Sequence, residues 1–231
     1  MKTIGILGGM GPLASADLYQ KITRNTCASK DQEHLHILID SNPAIPDRTG
    51  FLLSGGEDPL PELLRTLHRL EQAGAELILL PCNTAHFFYP QLQKAASVRI
   101  LNMLEETANY LAAQMPGEVF GVLSTDGTLQ TGIIARYLDA HGLAHCYPDQ
   151  TQPLVMQFIY EGVKKNDFSL GTAGLMQAAA ELRQKGATKF ILGCTELSVA
   201  ASIYPFSNDF VDPLLILARR AIQEAGGKVI P

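Results

Sequence analysis

The chain has 231 residues, 46% of them hydrophobic and 18% charged, with a net charge of −5. That composition is globular and excludes a disordered or fibrous chain. The negative balance and the lack of any basic stripe exclude a nucleic-acid-binding surface. Apolar runs such as Ala73–Cys82 are far shorter than the ~20 residues of a membrane span. Lys2 before an apolar stretch and Ala14-Ser15-Ala16 faintly resemble a signal peptide. That stretch also contains Gly5, Gly8, Gly9, Gly11 and Pro12, which suit a loop, so a cytoplasmic protein without membrane contact is expected.

The first apolar run, Thr3–Leu7, is closed by Gly8-Gly9-Met10-Gly11, and a helical pattern follows from Pro12 to about Thr26. Leu35–Asp40 reads as a second strand. Residues 41 to 58, with Pro43, Pro46, Gly50, Gly55 and Gly56, read as a long loop. Asp58 and Pro59 then open a helix whose Leu60, Leu63, Leu64, Leu67 and Leu70 share one face. Gly74 ends it, and Glu76–Leu80 is the next strand. Strands alternating with helices predict parallel βαβ units.

The second half repeats the plan. Phe120-Gly121-Val122-Leu123 matches Ile4-Gly5-Ile6-Leu7, Lys185-Gly186-Ala187 matches Ala73-Gly74-Ala75, and Phe190–Cys194 matches Ile78–Cys82. Asp212–Gly226 is a capped helix left over, free to pack back on the first copy. The expected fold is α/β: two pseudo-symmetric three-layer domains with mostly parallel sheets and a cleft between them. The boundaries are 1–98, completed by the C-terminal helix within 208–231, and 99–207.

Four cysteines, Cys27, Cys82, Cys146 and Cys194, form no CxxC pair, so neither a zinc site nor any other metal site is expected. The repeat places Cys82 and Cys194 at equivalent strand ends, each before polar, helix-starting residues: Asn83-Thr84 and Thr195-Glu196. Ligands of parallel sheets bind beyond the carboxyl ends of the strands. Facing halves would set the two thiols on opposite walls of one cleft, as an acid and a base on either side of a substrate. Cys27 and Cys146 have no repeat partner and read as structural.

The strings GILGGMGP (Gly5–Pro12), PDRT (Pro46–Thr49), PCNTAH (Pro81–His86) and GCTEL (Gly193–Leu197) resemble the aspartate/glutamate racemase superfamily, most closely its aspartate racemase branch. The resemblance implies cofactor-independent racemisation of a small acidic amino acid, commonly by a homodimer. Carried over, Cys82 and Cys194 are the acid/base pair. Asn83, Thr84 and Thr195 hold the α-carboxylate and amino group, and Met10, Ser124 and Thr125 line the cleft. Arg48, with Thr49 beside it, and Lys164 receive the distal carboxylate, a task suited to a guanidinium fork and a point charge. Glutamate racemases of the superfamily usually carry histidine where this chain has Glu196, and open with an acidic turn in place of Gly8–Gly11. Both differences favour aspartate.

Other readings stay open. Gly9–Ala14 fits GxGxxA after a strand, and Asp40 ends the next strand, as in a dinucleotide site. An NAD-dependent oxidoreductase would leave the repeated cysteines unexplained. A two-lobed binding protein needs the cleft and cations but not matched thiols. Broad-specificity racemases and related decarboxylases share the superfamily. His86, four residues after Cys82, reads as a packing residue with a lesser chance of tuning the thiol, and Glu196 as close to the site.

Overall fold

The computed structural model describes all 231 residues, Met1–Pro231. The first half runs β1 (Ile4–Gly8), α1 (Pro12–Asn25), β2 (Ile37–Ser41), α2 (Arg48–Ser54), α3 (Leu60–Gln72), β3 (Leu77–Leu79), α4 (Tyr89–Ala95) and β4 (Arg99–Leu101). Then α5 (Met103–Gln114) leads into β5 (Phe120–Leu123), α6 (Asp126–Gln130), α7 (Ile133–Ala140), β6 (His145–Cys146), α8 (Gln152–Gln157), α9 (Ala173–Gln184), β7 (Lys189–Leu192), α10 (Thr195–Ala201), β8 (Phe210–Val211) and α11 (Pro213–Glu224). The sheets have orders β2-β1-β3-β4 and β6-β5-β7-β8, with every ladder parallel. The repeat in the sequence is thus a repeat of topology.

Both faces of each sheet are covered, so the strands are continuous apolar runs. Alternation sorts the side chains. Ile4, Ile6, Leu77 and Leu79 point to one core with Leu18 and Ile22 of α1, while Leu7 and Ile78 point to the other with Leu63, Leu67 and Leu70 of α3. The matched glycines have a steric reason. A Cβ at Gly5 would stand 2.8 Å from Ala75 Cβ and 3.4 Å from Leu70 Cβ of α3, and one at Gly121 2.8 Å from Leu182 Cδ1 of α9. Each glycine lets a helix lie close on its central strand.

Three expectations need correction. Residues 41–58 are not all loop: Asp47 Oδ2 accepts the Gly50 N–H at 2.6 Å and caps α2, and Gly55 at φ 67° ends it. Strand Arg99–Leu101 pairs with β3, so it closes the first sheet although the boundary at 98 assigns it to the second half. Likewise Phe210–Val211 pairs with β7 and closes the second sheet, although it lies within the segment 208–231 assigned to the first. The chain therefore changes halves near Asn102 and Asp212. Each caps the following helix: Asn102 Oδ1 accepts from Leu104 and Glu105, and Asp212 Oδ1 from Leu214.

Helix α11 packs back on the first half, burying Leu214, Leu217, Ala218, Ala221 and Ile222 against Ile4, Ile6, Leu18 and Ile22. It also lies along α5. At this seam Lys21 of α1 is held by Asp17, by Asp212 Oδ2 at 3.3 Å and by Ser202 Oγ, just past the end of α10, at 2.9 Å. No helix is long and apolar enough to cross a membrane.

Candidate active site

The carboxyl ends of β1, β3, β5 and β7 converge between the halves. After β1 the chain turns sharply at Gly9 (φ 94°), where a Cβ would fall 2.3 Å from the Asn42 backbone. The Gly9 N–H donates to Ser15 Oγ at 2.9 Å, tying the turn to α1. This presents Met10 to the cleft. After β3 and β7 come Cys82 and Cys194, each 6% exposed. Both thiols line one inner chamber together with Met10, Asp47, Arg48, Thr49, Asn83, Thr84, Thr125, Tyr160, Lys164, Thr195 and Glu196. An outer cleft of ≈ 350 Å³ shares Met10, Asp47, Arg48, Lys164 and Glu196 with it and opens to the surface. The inner chamber has only ≈ 10 Å³ of room, about the space of one ordered water.

Hydroxyls close the chamber from both sides. Thr84 Oγ1 hydrogen-bonds with Thr125 at 3.2 Å and Thr128 at 2.8 Å, and Thr49 Oγ1 donates to Thr125 Oγ1 at 3.5 Å. Thr195 Oγ1 donates to the Pro81 carbonyl at 3.2 Å, joining the two cysteine motifs. Asn83 is 2% exposed, yet neither its Oδ1 nor its Nδ2 has a partner. A buried amide left unpaired costs ~1–3 kcal/mol, so it is poised for a polar ligand.

Arg48, 6% exposed, is clamped from below. Nη1 donates to the carbonyls of Ile45 (3.3 Å) and Pro46 (2.9 Å), and Nη2 donates to that of Met10 (3.2 Å). Nε has no partner, so the Nε–Nη2 edge keeps donors for a carboxylate. Burial works against this charge, but neighbouring Cys82 and Asp47 hold the guanidinium above its ordinary range. Lys164 Nζ donates to Glu196 Oε1 at 2.8 Å. Burial opposes its charge as well, and Glu196 and Cys194 more than offset that, raising its pKa.

The two sulfurs have unlike surroundings. Cys82 lies beside the Arg48 cation. Cys194 Sγ–H donates to Glu196 Oε2 at 2.8 Å. Burial and then the Glu196 charge push the Cys194 thiol well above its ordinary value. Burial disfavours the Glu196 charge, but Lys164 and the thiol hydrogen bond keep its pKa below the usual carboxylate range.

Of the residues expected here, Cys82, Cys194, Met10, Arg48, Thr49, Asn83, Thr84, Thr125, Lys164 and Thr195 line the chamber. Ser124 is 1% exposed and does not line it. Its carbonyl accepts from Gln152 Nε2, which positions the turn. Tyr160 and Asp47 also line the chamber, and Thr128 backs it through its bonds to Thr84 and Thr125. Tyr160 OH donates to Asp47 Oδ1 across the cleft at 3.3 Å, and burial pushes its phenol up to about 12. Tyr160 follows α8 in a π-helical turn, Phe158–Gly162, a local irregularity that no residue pattern announces. His86 is a packing residue. Its Nδ1 meets the Cys82 carbonyl at 2.8 Å, its Nε2 accepts the Met103 N–H at 3.1 Å, and burial lowers its pKa to about 4. Asp40 is paired with Arg69 at 2.8 Å, which leaves the dinucleotide reading without a free acid at the end of β2.

Twin parallel sheets with two thiols facing a shared polar chamber define a protein built for chemistry at an inter-lobe cleft. The chain belongs to the Asp/Glu/hydantoin racemase family, whose model matches residues 7–221. The chain is 29% identical over 226 residues to the broad specificity amino-acid racemase RacX of Bacillus subtilis (strain 168), covering 95% of this chain and 96% of that one. Among solved structures it is similar to the aspartate racemase of Picrophilus torridus, with a TM-score of 0.86 and 30% identity over 100% of this chain and 96% of that chain. The glutamate racemase isoform RacE1 of Bacillus anthracis shares the fold at a TM-score of 0.68 and 17% identity, over 97% and 82% of the two chains.

Proposed function

We propose that this protein interconverts the enantiomers of a small acidic amino acid, aspartate foremost, without a cofactor, through proton transfer at Cα between Cys82 and Cys194. The observation that carries this reading is the placement of both thiols, from equivalent strand ends, on one enclosed chamber. One sulfur removes the Cα proton and the other delivers a proton to the opposite face. Asn83, with its unpaired amide, takes the α-carboxylate or amino group alongside Thr84 and Thr195. Arg48 offers its open edge to the distal carboxylate. Because the chamber is smaller than an amino acid, the halves part to admit substrate and close around it, excluding water from the carbanion.

A broader substrate range is the second reading. Lys164 is neutralised by Glu196, so the grip on an acidic side chain rests on Arg48. The similarity to a broad specificity racemase points the same way. As the resemblance implies, the protein works as a homodimer. A chiral assay of purified protein over a panel of amino acids, with no cofactor added, separates the readings. Activity confined to dicarboxylates supports the first. Turnover of neutral amino acids at comparable rates supports the second, and activity only with an added cofactor refutes both.

A further inference from the structure

Glu196 stands on the first turn of α10, where an acidic residue ordinarily faces solvent and the helix dipole. Here it is 4% exposed and turned into the chamber. Both carboxylate oxygens are engaged, Oε2 by the Cys194 Sγ–H and Oε1 by the Lys164 ammonium, each at 2.8 Å. Gly11 lies against it: a Cβ there would approach Oε1 to 3.3 Å. Burying a carboxylate carries a desolvation cost that a single ion pair only partly offsets, so its place against the thiol calls for a role. Cys82 has no such partner. It lies beside Arg48, so one sulfur of the pair has a cation as its charged neighbour, while the other is hydrogen-bonded to a carboxylate with Lys164 behind it.

We propose that Glu196 is a positioning residue for the reaction. It holds the Cys194 Sγ–H in a fixed direction and keeps Cys194 as the protonated, proton-donating member of the pair between turnovers, with Lys164 balancing the buried charge. This rests on the two-thiol reading of the site. In the step so arranged, the Cys82 thiolate takes the Cα proton and the electron pair of that bond stays on Cα. The pair then takes the proton from Cys194 as its Sγ–H bond breaks, leaving a thiolate beside Glu196. That arrangement places two negative charges together. Between turnovers the Cys82 proton passes to solvent, and Cys194 regains one. The resting enzyme is therefore set for one enantiomer. The burial of Cys194 and the Glu196 charge both favour the thiol form at this sulfur.

The charged and titratable groups around Glu196 are Lys164 and Cys194 in contact and Arg48 across the cleft. Cys82, Asp47 and Tyr160 lie on the same chamber. The test uses the whole protein and does not need turnover. Iodoacetamide alkylation of Cys82 and of Cys194 is followed separately by peptide mass spectrometry from pH 6 to 11. In Glu196→Gln, Lys164 stays and the anion is gone. The pH midpoint for Cys194 is expected to fall by more than one unit, a gain of over tenfold in reactive thiolate at a given pH, while that of Cys82 stays in place. Glu196→Asp, which keeps the charge, should stay nearer the wild type. An unmoved or raised Cys194 midpoint in Glu196→Gln, or equal movement of both cysteines, overturns the proposal. If Glu196→Gln loses its cooperative unfolding transition, Lys164→Met tests the same charges with the opposite sign. The Cys194 midpoint must then rise, and its failure to do so is equally fatal. If the variants show these shifts but the wild-type protein racemises no amino acid, the proposed function is refuted and the coupling of Glu196 to Cys194 stands.

Discussion

Arg48→Lys separates the support that Arg48 gives the fold from its grip on a ligand. Three donations from its guanidinium, to Ile45, Pro46 and Met10, fix the 45–48 turn and the Met10 turn together. A lysine ammonium at that depth reaches one of those carbonyls. Two lost bonds from a charged donor, at ~1.5 kcal/mol each by the lower bound, destabilise the fold by ~3 kcal/mol. At ~2–4 °C per kcal/mol for a chain of this size, Tm falls by ~6–12 °C. The unpartnered Nε is lost too, so a distal carboxylate keeps one bond of two. That costs ~1.5–3 kcal/mol, or roughly 10- to 150-fold in kcat/KM. The assay is racemisation of aspartate and alanine by the same preparation below its transition, beside a thermal melt. Aspartate should lose that factor and alanine, with no distal carboxylate, should lose little. Equal losses for both substrates would show that Arg48 supports the turn without reading the side chain.

Cys82→Ala and Cys194→Ala should each abolish racemisation while still binding a dicarboxylate. In deuterated solvent early product should carry deuterium while unreacted substrate keeps its proton. Uptake into unreacted substrate as fast as conversion would mean one base serves both faces. His86 is held neutral with a folded pKa near 4, below the ~6.5 of an unfolded histidine. Its contribution is whole above pH ~6.5 and is lost at ~1.4 kcal/mol per unit as pH falls toward 4. Urea unfolding at pH 7 and 5 should therefore differ by ~2 kcal/mol, and a His86→Gln variant that keeps this slope contradicts the assignment. Gly121→Ala puts a Cβ 2.8 Å from Leu182 Cδ1. It should cost ~1–3 kcal/mol by overpacking and leave the rate per folded molecule intact. Undiminished stability would disprove the close helix–sheet contact.

What the residues disclosed beforehand follows from burial. Strands β1, β3, β5 and β7 are central, covered on both faces, and hence continuous apolar runs whose equivalence is visible at fixed offsets. Edge strands β6 and β8 have two residues each, and β4 has three, too few for any period to show, and so no residue pattern marks where the chain passes from one sheet to the other. Helix α2 hid among prolines and glycines, although Asp47 followed by Gly50 is a capping signal in hindsight. The cysteines and Arg48 were legible because strand ends and a short motif carry them. The inward position of Glu196 is not legible, because an acid at a helix start has an ordinary local explanation. Its inward turn is decided by Lys164, thirty-two positions earlier. Tyr160 reaches the chamber only through tertiary packing.

The two changes of half, at Asn102 and Asp212, have a mechanical meaning. Each is followed by a capped helix, and α5 and α11 lie along one another. A single linker would let the lobes swivel, slide or drift apart. Two tethers packed side by side oppose those motions, and the freedom they hinder least is rotation about the line of the α5–α11 pair, like the spine of a book. The Lys21 ties to Asp212 and Ser202 lie near that spine, while the Tyr160–Asp47 contact lies at the opening edge. A closure about that line would bring Cys82 and Cys194 back to the same mutual alignment each time. For a reaction whose outcome depends on which face of a planar carbon each proton meets, constrained travel of this kind serves accuracy as much as speed.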